Sequence, residues 1–272
     1  QAKIDRYEQQ LTISAQRSGY SKTDTEATAM FMKNEELLPA YNVVASCENQ
    51  FITALSVHQN PNDATCFQEH LQQMPLKPGA ITADSIFGTE QNYELMEGYG
   101  IENYLKFPAF YREQTRSNPN PFLKENFTYN PDRDTYTCPN HRSLHYRNSE
   151  TTINKKTGYK SKARIYQADD CSNCPLASQC KKSEEQNRTI NVNQQLDYYK
   201  QQARNNLNTD KGLALRKARG CEIESCFGDI KHNMGFRRFH LRGKQKVQTE
   251  IRLVSIAHNL RKVHLQSLKK VA

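Results

Sequence analysis

The order of secondary structure predicted between residues 80 and 107 constrains the fold more than any other feature of this 272-residue chain. A short apolar strand is expected over Ala80 to Asp84, a helix over Glu90 to Glu97, and a second strand over Ile101 to Phe107. Two strands joined through a helix form a parallel pair with a right-handed crossover. The segment therefore predicts an α/β fold with Asp84 at the carboxyl end of a strand, where reactive groups gather in open α/β sheets.

A β-hairpin is predicted upstream of this unit. Tyr41 to Cys47 and Phe51 to His58 are rich in β-branched and apolar residues and are separated by a short polar turn. A helix is expected next, from Ala64 to Met74, with Asp63 as its N-cap. The hairpin and the helix add to the α/β pattern.

Two helices are predicted near the C-terminus. The first covers residues 211–233, and its apolar residues recur at i, i+4 and i+7, with Glu224 at the edge of the face they form. These apolar residues are Ile223, Phe227 and Ile230. The second helix covers Lys246 to Leu268. Its apolar stripe consists of Leu253, Ile256, Leu260 and Val263.

Between the strands and these helices, residues 108–205 have a different composition. Pro, Asn, Arg and Lys are frequent and long apolar runs are absent, so we expect an insertion with little core of its own. Four of the eight cysteines of the chain fall in this insertion, namely Cys138, Cys171, Cys174 and Cys180. The other four are expected to be ordinary buried thiols.

The four cysteines of the insertion predict a metal site. Cys171 and Cys174 form a CxxC knuckle, and four thiolates suit a tetrahedral structural zinc ion. Metal binding can supply stability where apolar burial is scarce. His141 is an alternative ligand, an iron–sulfur cluster also fits four thiolates, and free thiols on a loop remain the structural alternative.

Positive charge is concentrated at the C-terminal end. The chain carries a net charge of +9, yet residues 211–272 alone hold 15 Lys and Arg against 4 Asp and Glu. This asymmetry favours a polyanionic partner over a merely solvated surface. The candidate DNA-binding residues are Lys231, Arg237, Arg238, Arg242 and Lys244. Phe236 and Phe239, which lie among them, are expected to pack in the core in preference to stacking on bases.

Asp84 and Glu224 are the candidate catalytic and metal-binding carboxylates. Two-metal phosphodiester chemistry needs carboxylates that hold ions about 3.5–4 Å apart. The structural alternatives are that Asp84 caps the following helix and that Glu224 is a solvated helix residue. Spacing in the sequence alone leaves these alternatives open.

Several segments resemble the insertion-sequence DDE transposases. Asp84 in Ala-Asp-Ser-Ile-Phe-Gly resembles their second acidic motif, although the family usually has Gly-Tyr at Ile86-Phe87. The segment from Glu224 to Gly243 resembles their glutamate motif, and Tyr20 to Met30 and Tyr41-Asn-Val-Val resemble segments that precede the second aspartate. The cysteine-bearing insertion is similar to that of one bacterial subgroup.

The resemblance implies a ribonuclease H-like fold, incomplete at the N-terminus, with a zinc-binding insertion. Its divisions are a helical linker at 1–20, the first part of the catalytic domain at 21–107, the insertion at 108–205 and completing helices at 206–272. It further implies DNA cleavage and strand transfer, with Mg²⁺ or Mn²⁺ on Asp84 and Glu224 and Zn²⁺ on the cysteines. The expected partners are the ends of the element and target DNA, with a homodimer on DNA as one possible assembly. The expected location is the bacterial cytoplasm, at the nucleoid.

The first aspartate of the family has no counterpart in the sequence. Asp5, Asp24 and Glu48 stand in unsuitable contexts, so the first strand is expected to lie upstream of Gln1, and the chain alone is expected to be inactive. Two other functions stay open, a zinc-stabilised DNA-binding protein derived from a transposase and a metal-dependent nuclease that only cuts. No apolar run approaches the ~18 residues of a membrane span, and no signal peptide is visible.

Overall fold

The computed structural model describes residues 1–16, 19, 21–32, 35–115, 120–181 and 187–271, so Tyr20 of the motif comparison lies outside the described residues. Within them the protein is a mixed α/β structure. The helices are α1 (Ala2–Gln16), α2 (Asp63–Gln73), α3 (Glu90–Gly98), α4 (Phe110–Thr115), α5 (Ala177–Cys180), α6 (Gln194–Leu207), α7 (Asp210–Gly228) and α8 (Lys244–Val271). The strands are β1 (Thr28–Phe31), β2 (Leu37–Ala40), β3 (Asn42–Glu48), β4 (Phe51–His58), β5 (Ala80–Ala83), β6 (Glu102–Leu105), β7 (Thr128–Asn130), β8 (Thr135–Thr137), β9 (Ser143–Ile153), β10 (Lys160–Ala168) and β11 (Thr189–Val192).

The predicted hairpin is confirmed as β3 and β4, which pair antiparallel from Asn42 opposite His58 to Glu48 opposite Phe51. The helix that follows is confirmed as α2, but the predicted N-cap is wrong by one residue. Asn62 is extended and its side chain accepts a hydrogen bond from the Ala64 N–H. An Asn side chain caps a helix as well as Asp does, so neighbouring Asn and Asp cannot be told apart from sequence.

The parallel pair is confirmed as β5 and β6, with Ala80 opposite Glu102 and Ala83 opposite Leu105. Helix α3 forms the crossover between them. The first hydrophobic core lies beneath this unit, where α3 and α6 pack on β6 and α2 packs against α3. Its most deeply buried aromatic residues are Tyr93, Phe107, Phe110 and Tyr199.

The expectation of an insertion with little core is wrong. Strands β7 to β11 form one five-stranded antiparallel sheet in the order β11-β10-β9-β8-β7. The sheet has its own hydrophobic core, which includes Phe127, Leu144, Tyr166, Ile190 and Val192. These residues are single apolar positions within polar strands, because only one face of each strand is covered. No apolar run therefore reveals them.

A third core lies where α7 and α8 pack against the β3–β4 hairpin, and it includes Ile52, Val57, Val247 and Ile251. The inner face of α8 is fixed by Asn259, whose side chain exchanges two 2.9 Å hydrogen bonds with the Ile52 backbone. The apolar stripe predicted on α8 lies on the opposite face and is 54–65% exposed. No helix among the described residues is long and apolar enough to span a membrane.

Candidate metal and nucleic-acid site

A large open groove separates the β3–β4 hairpin from the β5–β6 pair. Its volume is about 2250 Å³, and both β3 and β5 line it along their length. In the described residues β3 pairs only with β4, and β5 pairs only with β6. Each strand therefore turns an unpaired edge toward the groove.

Helix α7 bridges the two strand pairs across this groove. At its start Lys211 Nζ lies 2.6 Å from Glu102 of β6, and near its middle Arg219 lies 3.0 Å from the Asp84 carboxylate. Further along, the Glu222 carboxylate accepts a 3.1 Å hydrogen bond from the Asn49 N–H in the β3–β4 turn. Helix α7 thus contacts both the β3–β4 pair and the β5–β6 pair.

Asp84 lies at the carboxyl end of β5, on the wall of the groove, as the position of this residue in the sequence predicted. It precedes a short 3₁₀ turn, Ser85–Phe87, but its side chain makes no capping hydrogen bond to that turn. The carboxylate pairs with Arg219 instead and remains 58% exposed. Capping does not explain this residue, whereas the ion pair points it toward α7.

Glu224 also lines the groove, so the two predicted carboxylates share one cleft despite their distance along the chain. Glu222 lines it too, one turn from Arg219 on the same helix. Across the described part of the chain, no three His, Cys, Asp or Glu side chains come close enough together to hold a metal ion. The donor types suit Mg²⁺, which takes carboxylate oxygens and water, but these residues do not form a closed metal cage.

Asp24, which belongs to the Tyr20 to Met30 segment, also lines the groove, but its carboxylate is engaged in hydrogen bonds. Its carboxylate accepts hydrogen bonds from the Tyr41 hydroxyl at 2.9 Å and from the Gly243 N–H at 3.1 Å. Burial raises the pKa of Tyr41, and the hydrogen bond to Asp24 raises it further. Asp24 therefore fastens the start of α8 to β3.

The predicted DNA-binding residues divide into two groups. Lys231, Arg237, Arg238 and Arg242 are exposed and line the groove. Lys244, in contrast, is only 31% exposed and lies 2.9 Å from Glu69 of α2 in an ion pair. These four exposed cations, which we call the rim, line the same groove as Asp84 and Glu224.

Phe236 and Phe239 pack against the third core, as predicted. Their rings meet edge to face with centroids 5.6 Å apart, and Tyr41 contacts Phe239 in the same way. This packing holds the segment that carries Arg237 and Arg238, and it leaves their guanidinium groups in solvent.

A buried polar network supports the groove wall. The Ser46 hydroxyl lies 2.8 Å from His70 Nε2, and Ser56 lies 2.7 Å from His70 Nδ1 and 2.6 Å from His58 Nε2. His58 Nδ1 in turn lies 2.9 Å from the Glu69 carboxylate. Burial, together with the neighbouring His58, lowers the pKa of His70 to about 4. The network therefore holds a neutral imidazole at the base of β3.

The four cysteines of the insertion line a single small cavity of about 20 Å³. The Arg188 N–H donates to Cys171 Sγ at 3.3 Å, and the Asn140 amide donates to Cys174 Sγ at 3.4 Å. His141 is exposed and does not line the cavity. Four cysteine sulfurs suit zinc, although these side chains do not lie close enough together in the structure to hold a metal ion.

Two residues of the groove were missed at the sequence level. Glu222 stands two residues before Glu224, and its helical position relative to Arg219 was the available signal. The sequence gives no sign that Arg219 belongs to the groove, because its partner Asp84 lies far away in the chain and only the fold brings them together.

Carboxylates and exposed cations in one groove suit metal-assisted chemistry on a phosphodiester. Residues 137–264 match the family model described as the transposase DDE domain. The matched range includes the cysteines, Glu224 and the basic segment, whereas Asp84 lies outside it. No curated protein and no solved structure matches the chain. This similarity supports a DDE transposase, a class of enzyme that processes DNA.

Proposed function

We propose that this chain contributes the catalytic groove of a DDE-type transposase that cleaves the ends of an insertion sequence and joins them to target DNA. The observation that carries the proposal is the shared groove, whose lining includes Asp84, Glu224 and the arginines of the rim. In the reaction, water cleaves a phosphodiester at the end of the element, and the freed 3′-hydroxyl attacks a target phosphodiester.

The residues have separate tasks in this mechanism. Asp84 and Glu224 would hold Mg²⁺ or Mn²⁺, which activates the attacking oxygen and stabilises the leaving oxygen when bound. Arg219 orients the Asp84 carboxylate through their ion pair. Arg237, Arg238 and Arg242 hold the phosphates, because a guanidinium can donate two hydrogen bonds to one phosphate.

The ribonuclease H-like fold of the proposal requires a strand between β3 and β5. The unpaired edges of these strands support it, since an unpaired strand edge presents a row of backbone donors and acceptors with which a further strand can pair. A strand seated there would unite both pairs in one sheet and would place its own side chains beside Asp84. We propose that such a strand comes from outside residues 1–272, which makes this chain alone inactive.

Metal binding tests the carboxylates. We expect Mn²⁺ titrations followed by electron paramagnetic resonance to show binding to the wild-type chain and weaker binding to Glu224→Ala and Asp84→Asn. Glu113→Ala is the matched control, because Glu113 pairs with Arg204 outside the groove. Equal Mn²⁺ affinity in the wild type and in Glu224→Ala would remove Glu224 from the site.

DNA binding tests the rim. We expect Arg237→Ala, Arg238→Ala and Arg242→Ala each to weaken duplex binding and to lower the salt slope by about 1, as for a lost phosphate contact. Fluorescence anisotropy across a salt series measures both quantities. Lys162→Ala, an exposed cation on β10, is the charge-matched control. Identical slopes in rim variants and control would contradict a phosphate-binding rim.

A second candidate is a DNA-binding protein that derives from a transposase and has no catalysis. The observation in its favour is that Asp84 is already paired with Arg219, a cation where an active site would hold a metal ion. A nicking assay with the upstream strand restored separates the two functions. Cleavage products establish the enzyme, whereas DNA binding without cleavage favours the second candidate. Joined products separate a transposase from a nuclease that only cuts.

We also propose that Cys138, Cys171, Cys174 and Cys180 bind one zinc ion. The N–H groups aimed at Cys171 and Cys174 support this, because such donors stabilise thiolates. Elemental analysis of the purified chain should find about one zinc per chain, and ultraviolet–visible spectra distinguish an iron–sulfur cluster. Cys174→Ser should lower the zinc content, while Cys221→Ser, on α7, should not. A homodimer on DNA stays a prediction.

A further inference from the structure

The β1–β2 hairpin carries a highly exposed aromatic residue. Phe31 is 80% exposed, more than any other aromatic side chain of the described residues. In the register of the hairpin it lies opposite Leu37, which is also exposed. At the other end of the hairpin, Ala27 and Thr28 are buried. The hairpin therefore holds its apolar end in water, where an aromatic ring is less favourable than in contact with a partner.

The buried end of the hairpin is anchored to the rest of the protein. The Gln59 amide donates a 2.8 Å hydrogen bond to the Glu26 carbonyl, and the Glu26 carboxylate accepts a 2.8 Å hydrogen bond from the Lys244 N–H. Strand β2 is separated from β3 by a single residue. These connections fix the position of Phe31 relative to the groove.

Phe31 lines the same groove as the rim and the two catalytic carboxylates. Its apolar neighbours in the lining are Met30, Met32 and Leu38. The acidic residues at this end of the hairpin, Glu35 and Glu36, are exposed but do not line the groove. One groove thus presents both exposed cations and an exposed aromatic ring.

A nucleic acid with unpaired bases complements both features. Its phosphates pair with cations, and each base has a flat face that can stack on an aromatic side chain. Bases inside an intact duplex are covered on both faces by their neighbours, so an apolar wedge reaches them only where the stack is opened. The ligand that fits the whole groove is therefore DNA that is single-stranded or unstacked near its end.

We propose that Phe31 stacks on an unpaired base of the DNA that the groove holds. This inference rests on the proposed function, because it takes the groove to be the DNA site. The arginines of the rim hold the phosphates, and Phe31 makes the protein prefer an opened DNA end to a blunt duplex. Stacking of one base on an aromatic side chain corresponds to about 5- to 150-fold in affinity.

Fluorescence anisotropy on the full chain tests this preference with a blunt duplex and a forked duplex that is unpaired at one end. We expect the wild type to bind the forked DNA at least about fivefold more tightly. Phe31→Ala should abolish the preference and leave the salt slope unchanged, because no phosphate contact is lost. Phe31→Trp should retain the preference, because an indole ring also stacks on bases.

A 2-aminopurine base in the unpaired end provides a direct readout of stacking. Its fluorescence should fall when wild-type protein binds and should fall less with Phe31→Ala. Tyr198→Ala is the matched control, because Tyr198 is an exposed aromatic residue of α6 that does not line the groove. It should behave like the wild type in both measurements.

The experiment separates failure of this inference from failure of the proposed function. If wild type and Phe31→Ala bind forked DNA equally while the rim arginines still set the salt slope, the inference is wrong and the proposed function stands. The exposed end of the hairpin would then belong to a protein partner. If the rim arginines do not affect binding, the groove is not the DNA site, and both proposals are wrong.

Discussion

Two glycines of α7 offer a sharp test of how this helix is placed. A Cβ at Gly212 would lie 2.2 Å from the Asn206 carbonyl oxygen and 2.8 Å from the Leu207 backbone, at the end of α6. A Cβ at Gly220 would meet nothing within 4 Å. The same substitution on the same helix should therefore have opposite effects.

Gly220→Ala should raise the free energy of unfolding by about 1 kcal/mol, the usual gain for Ala over Gly inside a helix. Gly212→Ala cannot be accommodated in place, because real Cβ atoms essentially never approach a heavy atom within 3.0 Å. The start of α7 would have to move by about 1 Å, and overpacking of this kind costs about 1–3 kcal/mol. We therefore expect the two variants to differ by about 2–4 kcal/mol, in the order Gly220→Ala above wild type above Gly212→Ala.

Urea denaturation followed by circular dichroism at 222 nm measures both free energies of unfolding. The Gly212→Ala shift should also weaken the Lys211–Glu102 contact, since Lys211 is adjacent in the chain. If Gly212→Ala proves as stable as Gly220→Ala, the close packing of α6 on α7 is wrong, and with it the placement of Arg219 and Glu224 over the groove.

Three further predictions concern stability. Neutral His70 has a pKa of about 4 against about 6.5 unfolded, so the unfolded chain binds more protons between these values. The free energy of unfolding should therefore fall by about 3 kcal/mol as the pH drops from 6.5 to 4. His70→Gln should remove this pH-dependent loss, which urea denaturation at several pH values measures. Ile251→Ala, in the core, should cost about 2–4 kcal/mol, whereas Leu253→Ala on the outer face of α8 should change stability by less than about 0.5 kcal/mol in thermal melts. Asn259→Ala should cost about 1–3 kcal/mol, because it leaves two Ile52 backbone groups unpaired, and hydrogen exchange at the Ile52 N–H should then accelerate.

Local patterns in the sequence predicted the elements that form the groove. The β3–β4 hairpin follows from β-branched runs around a polar turn, and the β5–β6 pair follows from strand–helix–strand order. Both patterns lie in residues that are close together in the chain, so a single sequence is enough to predict these elements. The placement of Asp84 at a strand end follows from the same pattern.

Features that depend on distant contacts could not be predicted. The ion pair between Asp84 and Arg219 exists because α7 crosses β5, and no spacing in the sequence encodes that crossing. The core of the insertion was missed because Leu144 and Tyr166 are isolated apolar residues that only strand pairing brings together. The sequence does not distinguish Lys244 from the neighbouring basic residues, because only the fold brings Glu69 beside it.

The unpaired edges of β3 and β5 also bear on aggregation. Exposed strand edges invite pairing with other chains. Here the edges lie inside a groove whose lining also includes the β1–β2 hairpin on one side and residues 236–242 on another. Neighbouring residues that line the groove with a strand edge hinder its pairing with the sheet of a second chain, as when a protein covers an edge with a loop. The placement of both edges in one groove thus limits aggregation.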